Sequence, residues 1–175
     1  MEKVIQIGGI DCRLKSSAAV ARLYRLHFGD DLIIDMNQLM EDVKANKGTL
    51  QPRNITTLEQ YAYVCHKHAD PSQPETIDEW LDQFEDDGAI YLALGDIISL
   101  WKKETESKST SKKKERISTR PLNTPLFMLR CAQCGIAMKD LELLSIGLIN
   151  DMFTELKNDD YDYPVIATQA DIDNL

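Results

Sequence analysis

The sequence has 175 residues, enough for one domain or two small ones, and this length excludes a large multidomain enzyme. Hydrophobic residues make up 43% of the chain and charged residues 28%, a composition typical of folded globular domains. No apolar run approaches the roughly 18 residues of a membrane span, and the N-terminal residues do not have the pattern of a secretion signal. We therefore expect a cytosolic protein that does not bind membranes and keeps its four cysteines reduced.

The net charge of −9 is distributed unevenly along the chain. Residues 1–101 carry 9 Lys and Arg against 17 Asp and Glu, residues 102–120 carry 8 against 3, and residues 121–175 carry 3 against 9. Two acidic regions are thus joined by a basic segment. This distribution predicts three parts: a first domain over 1–101, a linker over 102–120 and a C-terminal extension over 121–175.

Residues 3–15 alternate apolar and polar side chains on both sides of Gly8 and Gly9. The alternation is typical of strands, and two adjacent glycines supply the positive φ angles of a tight hairpin turn. Because a lone hairpin is only marginally stable, we expect it to pack on helices.

The rest of the first domain has the apolar period of amphipathic helices. One helix is predicted to end at Gly29, a second covers residues 32–43, and a last one covers residues 90–101. Two more are predicted to begin at Thr56 and Thr76, because a glutamate follows each threonine three residues later, as in a capping box. The sequence therefore predicts a helical domain that carries a small hairpin.

The linker contains no apolar residue except Ile117. It cannot bury enough surface to offset the entropy of ordering, so we expect a flexible tether that is cut first in limited proteolysis. The tract from Lys112 to Arg116 could bind phosphates, which keeps a nucleic-acid binder open as an alternative. Because both flanking regions are acidic and would repel nucleic acid, the tether is the favoured interpretation.

The C-terminal extension begins with Thr124 and Pro125, a pattern typical of a helix start. A short helix is predicted over residues 126–134 and a longer one over 140–156, while the acidic residues 158–175 lack helical periodicity. Two helices form a small core, so we expect them to dock on the first domain, another subunit or a partner. The predicted fold class is mainly α, with an N-terminal β-hairpin, a helical domain, a flexible basic linker and a small helical extension.

The strongest sequence evidence for a bound metal is the arrangement of cysteines and histidines. Cys131 and Cys134 are a CxxC pair, and Cys65 stands close to His66 and His68, so zinc could find four ligands. The CxxC lies in an apolar helix, however, where cysteine behaves as a small hydrophobe. A zinc- or thiol-dependent binding protein stays an alternative, and we predict no metal and no cofactor.

The rest of the sequence contains no recognisable catalytic motif. Gly8 and Gly9 do not belong to a phosphate-binding loop. The acidic residues between positions 75 and 87 fall mostly away from the apolar face of their predicted helix, as on a solvated surface. We therefore expect an interaction protein rather than an enzyme.

Short segments in both acidic regions carry a resemblance to a known family. In the first region they are SSAA (16–19), RLYR (22–25), FGDD (28–31), DM (35–36) and IDEWL (77–81). In the second they are RPL (120–122), LRC (129–131), GI (135–136), DL (140–141), the stretch 147–152 and NDDY (158–161). In order and spacing these segments resemble tail assembly chaperones from long-tailed bacteriophages of Gram-positive hosts.

The resemblance implies a non-enzymatic chaperone that acts in the host cytoplasm and is absent from the finished virion. In such phages a programmed ribosomal frameshift extends a short, abundant product into a longer fusion, which this chain resembles. The first part is thought to coat the tape measure protein, with self-association along it, and the extension to recruit the major tail tube protein. We expect the fusion junction near Lys112–Lys114, because three lysines can be encoded by an adenine-rich run on which a ribosome slips.

Two sets of residues are the candidates for partner binding. A groove in the first domain would mask apolar stripes of the tape measure protein, and the C-terminal tail would bind the tube subunit through apolar anchors and steering charges. The groove candidates are Tyr24, Phe28, Met36, Met40 and Trp80. Any one of them could instead be an ordinary core residue, because apolar residues at helical spacing usually face inward. The tail candidates are Asp159, Asp160, Tyr161, Asp162, Tyr163, Val165 and Ile166.

Overall fold

The chain is mainly α-helical, with two antiparallel strands near its N-terminus, so the predicted fold class is confirmed. The computed structural model describes residues 1–46, 49–85, 88–107 and 120–157. Most of the predicted linker and the whole tail after Lys157 therefore lie outside the described residues. None of the described helices is both long and apolar enough to cross a bilayer.

Strand β1 (Glu2–Ile7) pairs antiparallel with strand β2 (Ile10–Lys15). Gly8 and Gly9 connect them with φ angles of 57° and 79°, the left-handed backbone that a two-residue hairpin turn requires. The strands bury one face of the hairpin against helices of the first domain. The buried side chains of that face are Ile5, Ile7, Cys12 and Leu14. The predicted hairpin is confirmed.

Two helices follow the hairpin at the predicted places. Helix α1 (Val20–Phe28) ends at Gly29, whose φ of 78° lets its N–H bond back to a carbonyl of the last turn. Helix α2 (Leu32–Ala45) begins after Asp31, whose carboxylate accepts a hydrogen bond from the N–H of Ile34. The predicted apolar face of α2 is buried through Leu32, Met36 and Leu39.

Helix α3 (Pro52–Ala69) is the longest described helix, and its N-cap is Gln51, five residues before the predicted cap Thr56. Pro52 occupies the first helical position, and the backbone N–H of Gln51 donates to the side-chain oxygen of Asn54 at 2.8 Å. The capping contact is thus made by an asparagine and not by a glutamate. The predicted pair, Thr56 and Glu59, therefore gave the wrong start for this helix.

The Thr–Glu pattern is correct for the next helix. Helix α4 (Ile77–Leu81) begins after Thr76, whose hydroxyl accepts from the N–H of Glu79 at 3.3 Å. This five-residue helix places Trp80 in the core.

Helix α5 (Ala89–Thr105) continues past the predicted end at Trp101. Its last turn takes in residues 102–105, which composition assigned to the flexible linker. Glu104 falls on the buried face of α5, in line with Ile97 and Leu100 at helical spacing. The correction has a tertiary cause, because Glu104 contacts a helix that comes 42 residues later.

The C-terminal extension forms two α-helices joined by a 3-10 turn. Helix α6 (Thr124–Gln133) is capped by Asn123, one residue before the predicted cap. The predicted single helix over 140–156 is wrong, because a 3-10 helix (Met138–Leu143) precedes helix α7 (Ile146–Glu155). Leu144 and Ser145 are extended, and the hydroxyl of Ser145 accepts from the N–H of Leu148 to start α7.

One continuous hydrophobic core joins the extension to the first domain. In the hairpin region β2 packs on α3 and β1 packs on α5, while α7 packs on α5 and α6 packs on α2. The extension adds the buried side chains of Phe127, Cys131, Leu141, Ile146 and Ile149. The sequence left three docking partners open for the extension, and in the structure the extension docks on the first domain.

Candidate partner-binding surface

Three of the five predicted groove residues belong to the core. Tyr24, Met36 and Trp80 have no exposed surface. The hydroxyl of Tyr24 donates to Gln60 at 2.6 Å, and the indole N–H of Trp80 donates to Nδ1 of His66 at 2.9 Å. These bonds satisfy the polar atoms inside the core. A surface groove lined by these three residues is therefore not present, and the prediction is corrected.

The other two groove candidates, Phe28 and Met40, lie half-buried against the same core. Phe28 packs edge-on against Tyr24, with ring centroids 5.2 Å apart, and its ring lies 6.1 Å from that of Tyr63. Tyr63 in turn contacts Trp80 at 5.8 Å. Apolar residues at helical spacing thus form an aromatic core, and the sequence pattern could not separate core from groove.

The predicted tail residues all lie outside the described part of the chain. The same holds for the basic tract from Lys112 to Arg116.

Of the cysteines in the zinc interpretation, Cys65 and Cys131 are buried and Cys134 is partly exposed. Burial raises the pKa of the Cys131 thiol to about 11 and raises that of Cys65 further, so both are protonated at neutral pH. Nδ1 of His66 accepts the hydrogen bond of Trp80, and burial lowers the pKa of His66 and of His68. The described residues contain no cluster of three or more metal-ligating side chains. These groups act in packing and hydrogen bonding.

The extension docks on the first domain through a carboxylate at the start of α6. Asp31, which caps α2, also accepts hydrogen bonds from the backbone N–H and the hydroxyl of Thr124, each at 2.9 Å. The guanidinium of Arg25 lies 3.6 Å from the same carboxylate. One carboxylate thus lies at the N-terminal ends of two helices, where the helix dipoles favour negative charge.

A second carboxylate marks the start of α7. Glu104 is fully buried and accepts a hydrogen bond from the N–H of Ile146 at 3.1 Å. The N-terminal ammonium of Met1 lies 3.7 Å from its other oxygen. Burial raises the pKa of Glu104, and the bond from Ile146 and the nearby ammonium oppose that rise. Asp31 and Glu104 therefore attach both helices of the extension to the first domain.

Gly147 allows α7 to approach the end of α5 closely. A Cβ atom at this position would lie 2.1 Å from the backbone oxygen of Glu106. A side chain at residue 147 would therefore separate α7 from α5, and only glycine permits the observed contact.

The outward face of α7 carries an exposed apolar row that we call the α7 surface. It consists of Leu148, Met152 and Leu156, which are 46%, 37% and 46% exposed. Successive members are four residues apart and so lie about 6 Å apart along one side of the helix. The side of the helix that faces the core is buried through Ile146 and Ile149. Helix α7 therefore presents apolar side chains both to the core and to solvent.

Charged side chains border the α7 surface. Helical spacing places Glu155 along one edge of the row, and the exposed Glu106 follows the end of α5 nearby. Asp151, one turn before Glu155, is buried and accepts a hydrogen bond from the hydroxyl of Ser107. At the Leu148 end the described residues leave a cavity of about 400 Å³. The cavity is lined by Met1, Lys103, Glu104, Glu106, Ser145, Leu148 and Asp151.

The sequence pattern predicts this surface only in part. In the single helix predicted over residues 140–156, Leu148 and Met152 fall on one apolar side together with Leu141 and Leu144. The break at Ser145 resets the helical phase, which turns Leu148 outward and Ile149 inward.

Comparisons of the chain with family models, with curated proteins and with solved structures find no match.

Proposed function

We propose that the protein is a tail assembly chaperone of a long-tailed bacteriophage and has no enzymatic activity. Its first domain coats the tape measure protein in the host cytoplasm, with self-association along it, and its C-terminal extension recruits the major tail tube protein. The chaperone leaves before the virion is complete. The assignment to phage tails comes from the segments that resemble this family.

The observation that carries a binding role is the α7 surface. Three apolar side chains exposed in a row on a docked helix are suited to contact an apolar stripe of a partner. The row lies at the C-terminal end of the described chain, directly before the tail whose Tyr161 and Tyr163 are predicted anchors. The α7 surface and the tail together would form the recruiting region.

The first domain offers less specific support for contact with the tape measure protein than the α7 surface offers for recruitment by the extension. With Tyr24, Met36 and Trp80 in the core, Phe28 and Met40 remain as the half-exposed members of the predicted set. We therefore propose contact with the tape measure protein at the surface around these two residues.

The experiment is co-expression of the full chain with the tape measure and tail tube proteins encoded by the same genome. We expect the tape measure protein to become more soluble and to co-purify with the chain, and the tube protein to co-purify separately. Changing Tyr161 and Tyr163 to Ala should reduce tube capture, while Asp159 and Asp160 to Asn should reduce it less and in a salt-dependent way. Failure to capture either protein, or a genome without tube and tape measure genes beside this one, would contradict the proposal.

A further inference from the structure

The outer edge of strand β1 carries backbone groups that point away from β2. The N–H of Ser16 donates to the carbonyl of Met1 at 2.7 Å, so these two residues form a hydrogen-bonded pair just beyond the strands. Bonded and non-bonded pairs alternate along an antiparallel ladder. The odd-numbered residues of β1 therefore bond to β2, and the even-numbered ones direct their N–H and C=O groups outward. These outward residues are Glu2, Val4 and Gln6, which we call the β1 edge.

The β1 edge is accessible to another strand. All three of its residues are exposed, and Val4 in the centre is 56% exposed. Their outward backbone groups make no hydrogen bond with any described residue. Strand β1 contains no proline and pairs with β2 residue for residue, without a bulge. Prolines and bulges are devices that keep other strands away from an edge, and β1 has neither.

The lysine of β1 does not protect this edge either. Lys3 alternates with the exposed residues and lies on the side of the hairpin that packs against α5. Its ammonium lies 2.5 Å from the carboxylate of Asp96 on that helix. The charge of Lys3 therefore has a partner within the chain.

The other edge of the hairpin, along β2, is covered by long side chains. Arg13 donates to the carbonyl of Ala69 at the end of α3, at 3.0 Å, and Lys15 donates to Glu142 of the 3-10 helix, at 3.2 Å. Both side chains extend past the β2 edge to reach these partners, so a strand that approached β2 would have to displace them. Of the two edges of the described hairpin, the β1 edge is the open one.

The order of residues along the β1 edge is compatible with pairing to a second copy of itself. In an antiparallel pair with two-fold symmetry, Val4 faces Val4 of the second copy, and Glu2 faces Gln6. Each of these pairs exchanges two backbone hydrogen bonds. The carboxylate of Glu2 lies beside an amide that can donate to it, and no like charges face each other. The same arrangement along β2 would place Arg13 opposite Arg13, and like charges directly opposite are destabilising.

We infer that the β1 edge binds the β1 edge of a second copy of this chain, which joins two hairpins into one continuous antiparallel sheet. The contact is smaller than the roughly 800 Å² per partner of a standard interface, so the dimer is weak and forms at high protein concentration. Copies bound side by side on a tape measure protein have a high local concentration, which favours the same contact. The inference rests on the proposed function only for this last role.

The test is amide hydrogen exchange of the full chain, followed by nuclear magnetic resonance over about a hundredfold range of protein concentration. The amides of Val4 and Gln6 should exchange at least about twofold more slowly at the high end of the range, because pairing gives them acceptors. The outward amides of Asp11 and Arg13 on β2 should exchange at the same rate throughout. Sedimentation equilibrium at the same concentrations should show a monomer and a dimer.

Two variants at the centre of the edge should weaken the dimer. Val4→Lys places two ammonium groups opposite each other and should raise the dissociation constant at least about tenfold. Val4→Pro removes the outward N–H, which β2 does not use, and should weaken the dimer while the hairpin remains paired. Ile34→Lys is the matched control, because it makes the same charge change at an apolar side chain of α2 that is 45% exposed. It should dimerise as the wild type does.

Three results would overturn the inference. The first is a chain that stays monomeric over the whole concentration range. The second is a dimer that both Val4→Lys and Val4→Pro leave unchanged, because its contact would then lie elsewhere on the molecule. The third is protection of the Asp11 and Arg13 amides in assemblies larger than a dimer, which would mean that β1 of one copy pairs with β2 of the next.

These outcomes are separable from the test of the proposed function. A chain that dimerises through the β1 edge but captures no tail protein would retain the contact and lose the phage assignment. A chain that captures both tail proteins but stays monomeric on its own would retain the assignment and lose the contact.

Discussion

The first domain and the C-terminal extension are both helical, but they are stabilised in different ways. Residues 1–107 contain the aromatic core around Trp80 and Tyr63, with the hairpin packed on α3 and α5. The extension contributes fewer buried side chains, and both of its α-helices begin at a carboxylate of the first domain. The extension therefore depends on the first domain for its stability. We expect substitutions in the core of the first domain to destabilise the whole protein, and substitutions in the extension to have smaller and more local effects.

The largest effect is expected from the core of the first domain. Trp80→Ala removes the contacts with Tyr63 and Phe84 and the hydrogen bond to His66. It should lower the free energy of unfolding by about 3–5 kcal/mol, measured by urea denaturation. Leu92→Ala is the control and should stay within about 0.5 kcal/mol of the wild type. A loss below about 1 kcal/mol for Trp80→Ala would mean that this core is less important than its burial indicates.

A smaller and more local effect is expected where α7 meets α5. Gly147→Ala places a methyl group against the backbone of Glu106 and should cost about 1–3 kcal/mol. In hydrogen exchange the amides of α6 and α7 should lose protection, while those of α3 keep it. Gly95→Ala, on α5 with no atom within 4 Å of the new Cβ, should stabilise the protein by up to about 1 kcal/mol.

Equal loss of protection in α3 and α7 after Gly147→Ala would contradict the distinction between the two regions. It would mean that the first domain and the extension unfold as one cooperative unit.

The carboxylate shared by two helices should have a moderate effect. Asp31→Ala removes the cap of α2 and both hydrogen bonds to Thr124, and should cost about 1–2 kcal/mol. Asp30→Ala is the matched control, because Asp30 is its exposed neighbour with the same charge. Thermal denaturation of both variants checks this, and an equal change in the two would show that net charge rather than the shared cap is responsible.

The smallest effect is expected from Glu104 and depends on pH. Because the pKa of Glu104 is raised in the folded protein, the folded state holds its proton more tightly than the unfolded state does. The stabilisation that protonated Glu104 contributes is fully present below pH 4.5, the ordinary pKa of a glutamate. It is lost as the pH rises through the raised pKa of the folded state. Glu104→Gln should therefore be more stable than the wild type at neutral pH, by an amount that shrinks as pH falls towards 4.5.

Thermal denaturation of wild type and Glu104→Gln at several pH values measures this difference. If the wild type is the more stable protein at neutral pH and loses that advantage in acid, the carboxylate is stabilising in its ionised form. The sign of the burial effect assigned here would then be wrong.

Local sequence signals predicted the elements that depend on local contacts. Gly8 and Gly9 gave the hairpin turn, Gly29 the end of α1, and Thr76 the start of α4. Each of these signals acts within four residues of its own position. The fold class could therefore be derived from the sequence.

The features that sequence reasoning missed depend on contacts between distant residues. The last turn of α5 forms where Glu104 reaches Ile146, and the break before α7 forms where the carbonyl of Leu144 accepts from the N–H of Ala18. Periodicity also cannot tell which apolar face of a helix turns inward. By its spacing Trp80 fits both the core and a groove, and the structure places it in the core, whereas Leu148 of the predicted apolar side is 46% exposed.

The central claim is that the extension recruits a partner through the outward face of α7. The most direct measurement is capture of the purified tail tube subunit by the full chain, compared among wild type, Met152→Glu and Leu92→Glu. We predict that wild type and Leu92→Glu capture equal amounts, and that Met152→Glu captures at least about tenfold less at the same concentration. Equal capture by all three proteins would contradict the claim.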